Sequence, residues 1–287
     1  MAYRPMLRPG AHVLRRDAQH LQVGTCPGAV LTDRPGLHQL LLALDGLHEP
    51  DWLAKHVPEI GENLLAVLAE LAAAGVVLDA QHGDTRRPEE SRQLALTGQD
   101  PRAAAARRRL RVSVHGDPGT ATLVDTVQQI LHEAGIGTRS DDDADLLIIV
   151  STGEPARELF AEAVRHRIAH LAVRIDEAVI RIGPFVVPGT TACLGCHDLH
   201  RIDWDSAWAA LLPQFGRRGA QHNPPAPGAV LRHAAAAEIA AGIVDLADHS
   251  RSFDAGAVVT LGPPLGARHT MQAGFHHRCP CALLPPA

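Results

Sequence analysis

The residues best suited to chemistry in this chain are cysteines in two tight pairs, Cys193-Leu-Gly-Cys196 and Cys279-Pro-Cys281, with Cys26 as the fifth and last. Cysteines two or three positions apart present their sulfurs to the same side of a soft cation. Two such pairs brought together make a closed tetrahedral Cys₄ set, which leaves no coordination position for water. The expected cofactor is therefore one structural zinc (Zn) held by Cys193, Cys196, Cys279 and Cys281, a brace and not a reaction centre. Two disulfides or a redox dithiol are the rival readings. No secretory signal is legible ahead of Cys26, so a cytoplasmic chain with reduced thiols is the expectation. His197, His276 and His277 adjoin the pairs and are alternative ligands, ranked lower because four cysteines already suffice. Cys26 has only Gly24-Thr25 and Pro27-Gly28 around it, which predicts a partly buried structural thiol and not a nucleophile.

A second candidate is the bend His115-Gly-Asp-Pro-Gly-Thr120, between an expected strand and an expected helix, where phosphates often bind. It lacks the Gly-x-Gly-x-x-Gly spacing, its proline removes a donor, and Asp117 brings negative charge to the phosphate position. Asp141, Asp142 and Asp143 lie where an acidic ribose partner would be expected, although acidic loops are usually turns. The balance is no nucleotide cofactor and no catalytic residue. Arg174, Asp176 and Arg181 are either a partner surface or paired surface charges.

The elements that must position these residues follow from pattern. A length of 287 residues with 46% apolar content suits a large core and two domains. The net charge is −5, which gives no general attraction to nucleic acid or anionic membrane, and no apolar run is long enough for a membrane span. The polar stretch from Gln81 to Arg109 reads as a linker, partly helical through Ala103–Ala106, with the run Arg107-Arg108-Arg109 as a solvated face. The expected division is thus residues 1–80, a linker 81–109, and a second domain 110–287.

Within the first domain, strands are expected at His12–Arg15, His20–Val23 and Ala29–Thr32. A helix capped by Asp33 with Pro35 in its first turn carries Leu37, Leu40, Leu41 and Leu44 until Gly46 stops it. A short helix at Trp52–Val57 follows, then a third from near Gly61 with Leu64, Leu65, Leu68 and Leu71, and finally a strand or wing at Val76–Leu78. Three strands, three helices and a wing describe a winged helix-turn-helix. Its charge argues against DNA. Residues 1–80 hold six basic residues against nine acidic ones, a net of −3, and the segment Glu62–Ala74 contains no lysine or arginine to meet phosphate. A zinc-containing DNA regulator is therefore disfavoured. A groove between a strand edge and a leucine-rich helix can instead accept a peptide as an added strand. Most of these leucines are core; Val67 is the third-helix residue expected to point away from it.

After the linker the pattern is α/β. Leu110–Val114 leads into the Gly116 bend and a helix at Thr122–Ala134, and the apolar run Leu146–Val150 leads into a helix ending near Arg167. Strands at His170–Val173 and Val179–Ile182, helices at Asp203–Leu212 and Leu231–Ala247, and late strands at Val258–Leu261 and His269–Gln272 complete a Rossmann-like layout.

The stretch Ile182-Gly-Pro-Phe-Val-Val-Pro-Gly-Thr-Thr-Ala-Cys-Leu-Gly-Cys196, with His277-Arg-Cys-Pro-Cys281, resembles the ThiF-like cyclodehydratase-associated proteins of azole-peptide biosynthesis. The N-terminal region is similar to the peptide-binding winged helix, or RiPP recognition element, of the pyrroloquinoline-quinone pathway chaperone. The resemblance implies zinc on Cys193, Cys196, Cys279 and Cys281, and peptide binding on the third strand and third helix, at Val30, Thr32, Leu64, Val67 and Leu68. It also implies a precursor leader peptide and a YcaO-type cyclodehydratase as partners, and admits a homodimer. The ubiquitin-activating relatives clamp ATP phosphates with an Arg-Gln segment that is missing here. Adenylyl transfer is thus the alternative to a non-catalytic adaptor.

Overall fold

The computed structural model describes residues 3–8, 10–25, 28–80, 102–139, 144–215, 227–249, 256–264 and 267–284. The chain divides into two compact units, residues 1–105 and 106–287. Cys26, Asp141–Asp143 and most of the expected linker, 81–101, lie outside the described residues.

In the first unit, β1 (Pro5–Leu7) precedes a three-stranded antiparallel meander of β2 (Val13–Arg15), β3 (His20–Val23) and β4 (Ala29–Thr32). β3 pairs with β4 so that Leu21 faces Leu31 and Gln22 faces Val30, leaving β4 at the sheet edge. Then come α1 (Leu37–Ala43), α2 (Pro50–His56) and α3 (Leu64–Ala73). β5 (Val77–Asp79) closes the unit by pairing antiparallel with β1, a partner the sequence reading did not include. Leu21, Leu37, Leu40, Leu41, Leu53, Leu68 and Leu71 are almost fully buried in one cluster. Leucine at three- and four-residue intervals along α1 and α3 is what gives each helix a single buried stripe.

The first helix begins later than expected. Asp33 does not cap it, because its carboxylate is engaged by Arg15 at 2.9 Å, and the helix starts at Leu37 behind Gly36. Val67 also departs from expectation. It is 4% exposed and packs with Leu64 and Leu71 in the core, so it does not point outward.

In the second unit, α4 (Arg102–Arg109) leads to β6 (Val112–Gly116), α5 (Ala121–Glu133), β7 (Leu146–Thr152), α6 (Arg157–Arg165), β8 (Ala169–Asp176) and β9 (Val179–Val186). The chain continues through α7 (Leu194–Trp204), α8 (Trp208–Phe215), α9 (Ala229–His249), β10 (Ala257–Gly262) and β11 (Ala267–Gln272). The strands form one six-stranded sheet in the order β11-β10-β9-β8-β7-β6. β6, β7 and β8 are parallel, and β9, β10 and β11 continue antiparallel. Helices cover both faces. Leu146, Ile148 and Val150 of β7 pack with Val127 and Leu131 of α5 and Ile239 and Ile243 of α9. Ile149 turns to the other face and meets Phe160 of α6 and Leu194 of α7. A strand covered on both faces needs apolar residues at consecutive positions, which is why β7 has no alternation.

Two further differences have clear causes. The expected helix at Asp203–Leu212 is two helices, because Asp205 is extended and its carboxylate accepts the Ala207 N–H at 3.1 Å. The arginine run is not wholly solvated. Arg107 is buried and forms a two-point pair with Asp248 of α9, Nε to Oδ1 at 2.7 Å and Nη2 to Oδ2 at 2.5 Å.

Candidate functional site

The cysteine pairs meet. Cys193 stands in extended conformation immediately before α7, so the Cys196 N–H bonds back to the Cys193 carbonyl at 3.0 Å and both sulfurs lie at the helix start. Cys279 and Cys281 enter on a short 3₁₀ turn at Pro280–Leu283, whose approach is fixed by the Cys279 N–H bonding the His276 carbonyl at 2.9 Å. All four Sγ atoms lie within 4.8 Å of one another, with Cys193–Cys279 at 3.6 Å and Cys196–Cys281 at 3.3 Å. A disulfide requires about 2.05 Å, and all four are free thiols. A tetrahedral zinc with Zn–S of about 2.3 Å requires sulfurs about 3.8 Å apart, and the cluster is compatible with that. Gly195 lies against the cluster: a Cβ there would sit in ordinary contact, 3.4 Å from the Cys193 sulfur and 3.5 Å from that of Cys279.

Among the described residues the cluster that could hold a metal is four cysteines without a histidine. His276 is 1% exposed and uses both ring nitrogens elsewhere, Nδ1 accepting the Arg278 N–H at 3.1 Å and Nε2 bonding Asp203 at 2.7 Å. His277 stacks on His276 with centroids 4.4 Å apart. The His276 N–H bonds the Cys196 sulfur at 3.4 Å, the kind of contact that orients a thiolate ligand. Burial and the nearby sulfurs push the Cys193 thiol up to about 12, and burial raises Cys281 as well. Burial opposes ionisation of Cys196 too, but hydrogen bonds from the His276 N–H and the neighbouring thiols hold it below the ordinary range. Four crowded sulfurs cannot all ionise unaided. A divalent cation would supply the missing positive charge.

The bend after β6 is filled by its own side chains. Asp117 Oδ1 accepts the Gly119 N–H at 3.0 Å and the Thr152 hydroxyl at 2.9 Å, and Oδ2 accepts the Thr152 N–H at 2.6 Å. Gly116 lets the turn close so tightly that a Cβ there would lie 2.3 Å from Thr120 Oγ1. The donors a phosphate would use at this turn are therefore taken by an aspartate.

On the first unit, the residues expected to bind peptide separate into two groups. Val30 is 50% exposed on the edge strand β4, and Thr32 is exposed beside it. Leu64, Val67 and Leu68 are 5%, 4% and 1% exposed and belong to the core. The outward face of α3 is instead Leu65, Ala66, Ala69, Glu70, Ala72 and Ala73, with Leu65 64% exposed. The signal for this was available. Val67 lies three positions after Leu64 and four before Leu71, which puts it on their side of a helix. Arg34, just past β4, bonds Glu70 of α3 at 2.7 Å and ties strand end to helix.

Deep in the second unit, Arg157 bonds both Asp198, at 2.7 and 2.8 Å, and Glu154, at 2.8 Å. Glu154 also accepts from Arg174 at 2.9 Å. Arg174 is 9% exposed, so it is an interior residue and not part of a charged surface, whereas Arg181 and Asp176 do pair at the surface. Burial and the Arg174 charge push His197 down to about 4, so its ring is neutral.

A mixed six-stranded sheet with helices on both faces, carrying a sulfur cluster at the start of one helix, defines an α/β protein with a cysteine cluster that could hold a metal ion. No protein-family model matches the chain, and no curated protein does. Solved structures do match. A heterocyclase in complex with substrate and cofactor superposes with a TM-score of 0.73 at 22% identity, over 97% of this chain and 39% of that one. The heterocyclase TruD gives 0.71 at 21%, over 98% of this chain and 43% of that one. The chain thus spans about two-fifths of those proteins. E. coli MccB, solved with MccA, gives 0.60 at 13%, over 97% of this chain and 99% of MccB. The chain shares its fold with these structures.

Proposed function

We propose that the chain is a non-catalytic adaptor that captures the leader of a ribosomal precursor peptide and presents it to a YcaO-type cyclodehydratase in azole or azoline peptide biosynthesis. The observation that carries this reading is the open edge of β4. Val30 and Thr32 are exposed there, while Arg34 fixes the strand end to Glu70 on α3, whose outward face is otherwise apolar. An extended peptide gains main-chain hydrogen bonds from such an edge and selectivity from the side chains beside it. The likeness to a heterocyclase solved with substrate and the cysteine-pair resemblance point toward the same pathway. In this reading residues 1–80 receive the peptide and zinc on Cys193, Cys196, Cys279 and Cys281 braces the α/β domain. Tethering the leader raises the effective concentration of the core peptide at the partner enzyme.

Isothermal titration calorimetry tests it, with the precursor encoded beside this gene and the neighbouring YcaO protein as titrants. Saturable binding of both is expected. Heats indistinguishable from dilution for both would refute the adaptor. MccB, similar over its whole length and also solved with ATP, favours a second reading, adenylyl transfer to a peptide carboxylate. Asp117 in the Gly116 bend opposes it. Pyrophosphate exchange with ATP and precursor distinguishes the two: the adaptor shows none.

A further inference from the structure

One side of α7 presents Leu194, Asp198, Arg201 and Trp204, spaced three or four residues apart. With Trp208 of α8 and Met271 of β11 they line a cleft of about 500 Å³ that none of the roles above uses. Leu194, Trp204, Trp208 and Met271 make its apolar part. Trp204 is 87% exposed and Met271 61%, so both stand at the mouth.

The polar part is a fixed chain of contacts. Arg157 holds Asp198 at 2.7 and 2.8 Å, Asp198 Oδ1 accepts the indole N–H of Trp208 at 3.0 Å, and the Arg201 guanidinium lies 3.6 Å over the Trp208 ring. The buried indole thus positions a cation at the cleft. Its charge is not cancelled. Asp198 and Glu154, the carboxylates of the lining, are paired with Arg157 and Arg174, so three guanidinium groups stand against two carboxylates. Asp205, one turn further on, gives its carboxylate to the Ala207 N–H. The N–H groups of Arg201 have no hydrogen-bond acceptor among the described residues. Stacking on an indole occupies the face of a guanidinium and leaves the donors in its plane available to a carboxylate. A lone surface arginine is ordinary, but Trp, Met and Arg gathered at one opening are the residue types that concentrate in protein interfaces.

We infer that this cleft docks an acidic segment of a partner protein, with a large apolar side chain against Trp204 and Met271 and a neighbouring carboxylate on Arg201. The net charge of −5 gives the chain no general pull on anions, so the preference is local and worth a single ion pair. The site belongs to the second unit and does not depend on the adaptor reading.

The probe is acetyl-Asp-Phe-amide titrated into the full chain, read from the indole N–H signals in ¹H–¹⁵N NMR spectra. Saturable shifts of the Trp204 and Trp208 signals are expected, with a Kd of about 1 mM for so small a ligand. Trp52, in the first unit, is the internal control and should not move. Acetyl-Asn-Phe-amide has the same shape without the charge and should bind about fivefold more weakly, and acetyl-Lys-Phe-amide more weakly still. That comparison is made on the wild type and needs no variant. In Arg201→Met the Asp and Asn probes should bind alike, and Trp204→Ala should weaken both about tenfold; both side chains are exposed, so the remaining signals should stay in place. No saturable shift, an Asn or Lys probe that binds as tightly as the Asp probe, or a preference for Asp that survives Arg201→Met would overturn the inference. So would 3-phenylpropionate binding as tightly as the Asp probe, which would assign the cleft to a small aromatic acid. Val30→Asp leaves this titration unchanged while weakening the precursor, so failure of one site is distinguishable from failure of the other.

Discussion

The two units reach cohesion by different means. The first is held by a leucine-rich aliphatic core: Leu21, Leu40, Leu53 and Leu68 fill its interior with Val23, Ile60 and Val67, and its strands are only three or four residues long. The second has a long sheet with an aliphatic core, yet its last turn at Pro280–Leu283 is attached through sulfurs that meet partners 85 and 86 positions away in sequence. A segment that short buries too little apolar surface to hold itself in place. In the proposed reading, a metal bound by both cysteine pairs supplies the difference. In the proposed reading cohesion and recognition are thereby separated, since the first unit presents β4 at its sheet edge while Asp117 fills the turn after β6 in the second.

The largest effect expected from this contrast is on metal removal. Chelation, or Cys196→Ser, should release the ion and melt the second unit's C-terminal segment, seen as loss of protection at 276–284 in hydrogen exchange, while residues 12–32 keep theirs. Equal loss in both units would erase the distinction. Next is Arg107→Ala, which leaves Asp248 buried without its partner and should cost about 3–5 kcal/mol in chemical denaturation. The effect should fall on the transition of the second unit. Leu68→Ala is the counterpart in the first unit, where loss of a fully buried side chain should cost about 2–5 kcal/mol and weaken precursor binding only through unfolding. Val30→Asp should reverse that pattern, with stability unchanged within about 0.5 kcal/mol and calorimetric affinity for the precursor reduced about tenfold or more. Smallest is Arg34→Ala. Its pair with Glu70 is solvent-exposed, so about 1 kcal/mol or less should be lost.

What the sequence disclosed follows from how local each signal is. The parallel strands were legible because β7 and β8 are buried on both faces, and the cysteine pairs because only a few arrangements suit close thiols. Arg107 misled because an arginine run reads as solvated until a distant aspartate, Asp248, is brought to it by folding. The same applies to Arg174, whose partner Glu154 is twenty positions away, and to the Asp205 break between α7 and α8. Val67, three positions after Leu64 and four before Leu71, shares their buried stripe by helical spacing, a signal local enough to be legible. The cleft at Trp204 had no sequence signature, because its walls come from α7, α8 and β11.

The most direct test is the metal content of the chain purified without chelators, measured by inductively coupled plasma mass spectrometry on wild type and Cys196→Ser. About one zinc per chain in the wild type, falling to background in the variant, is the predicted result. A wild-type chain that folds fully while holding no stoichiometric zinc would contradict the idea that the sulfurs brace the second unit.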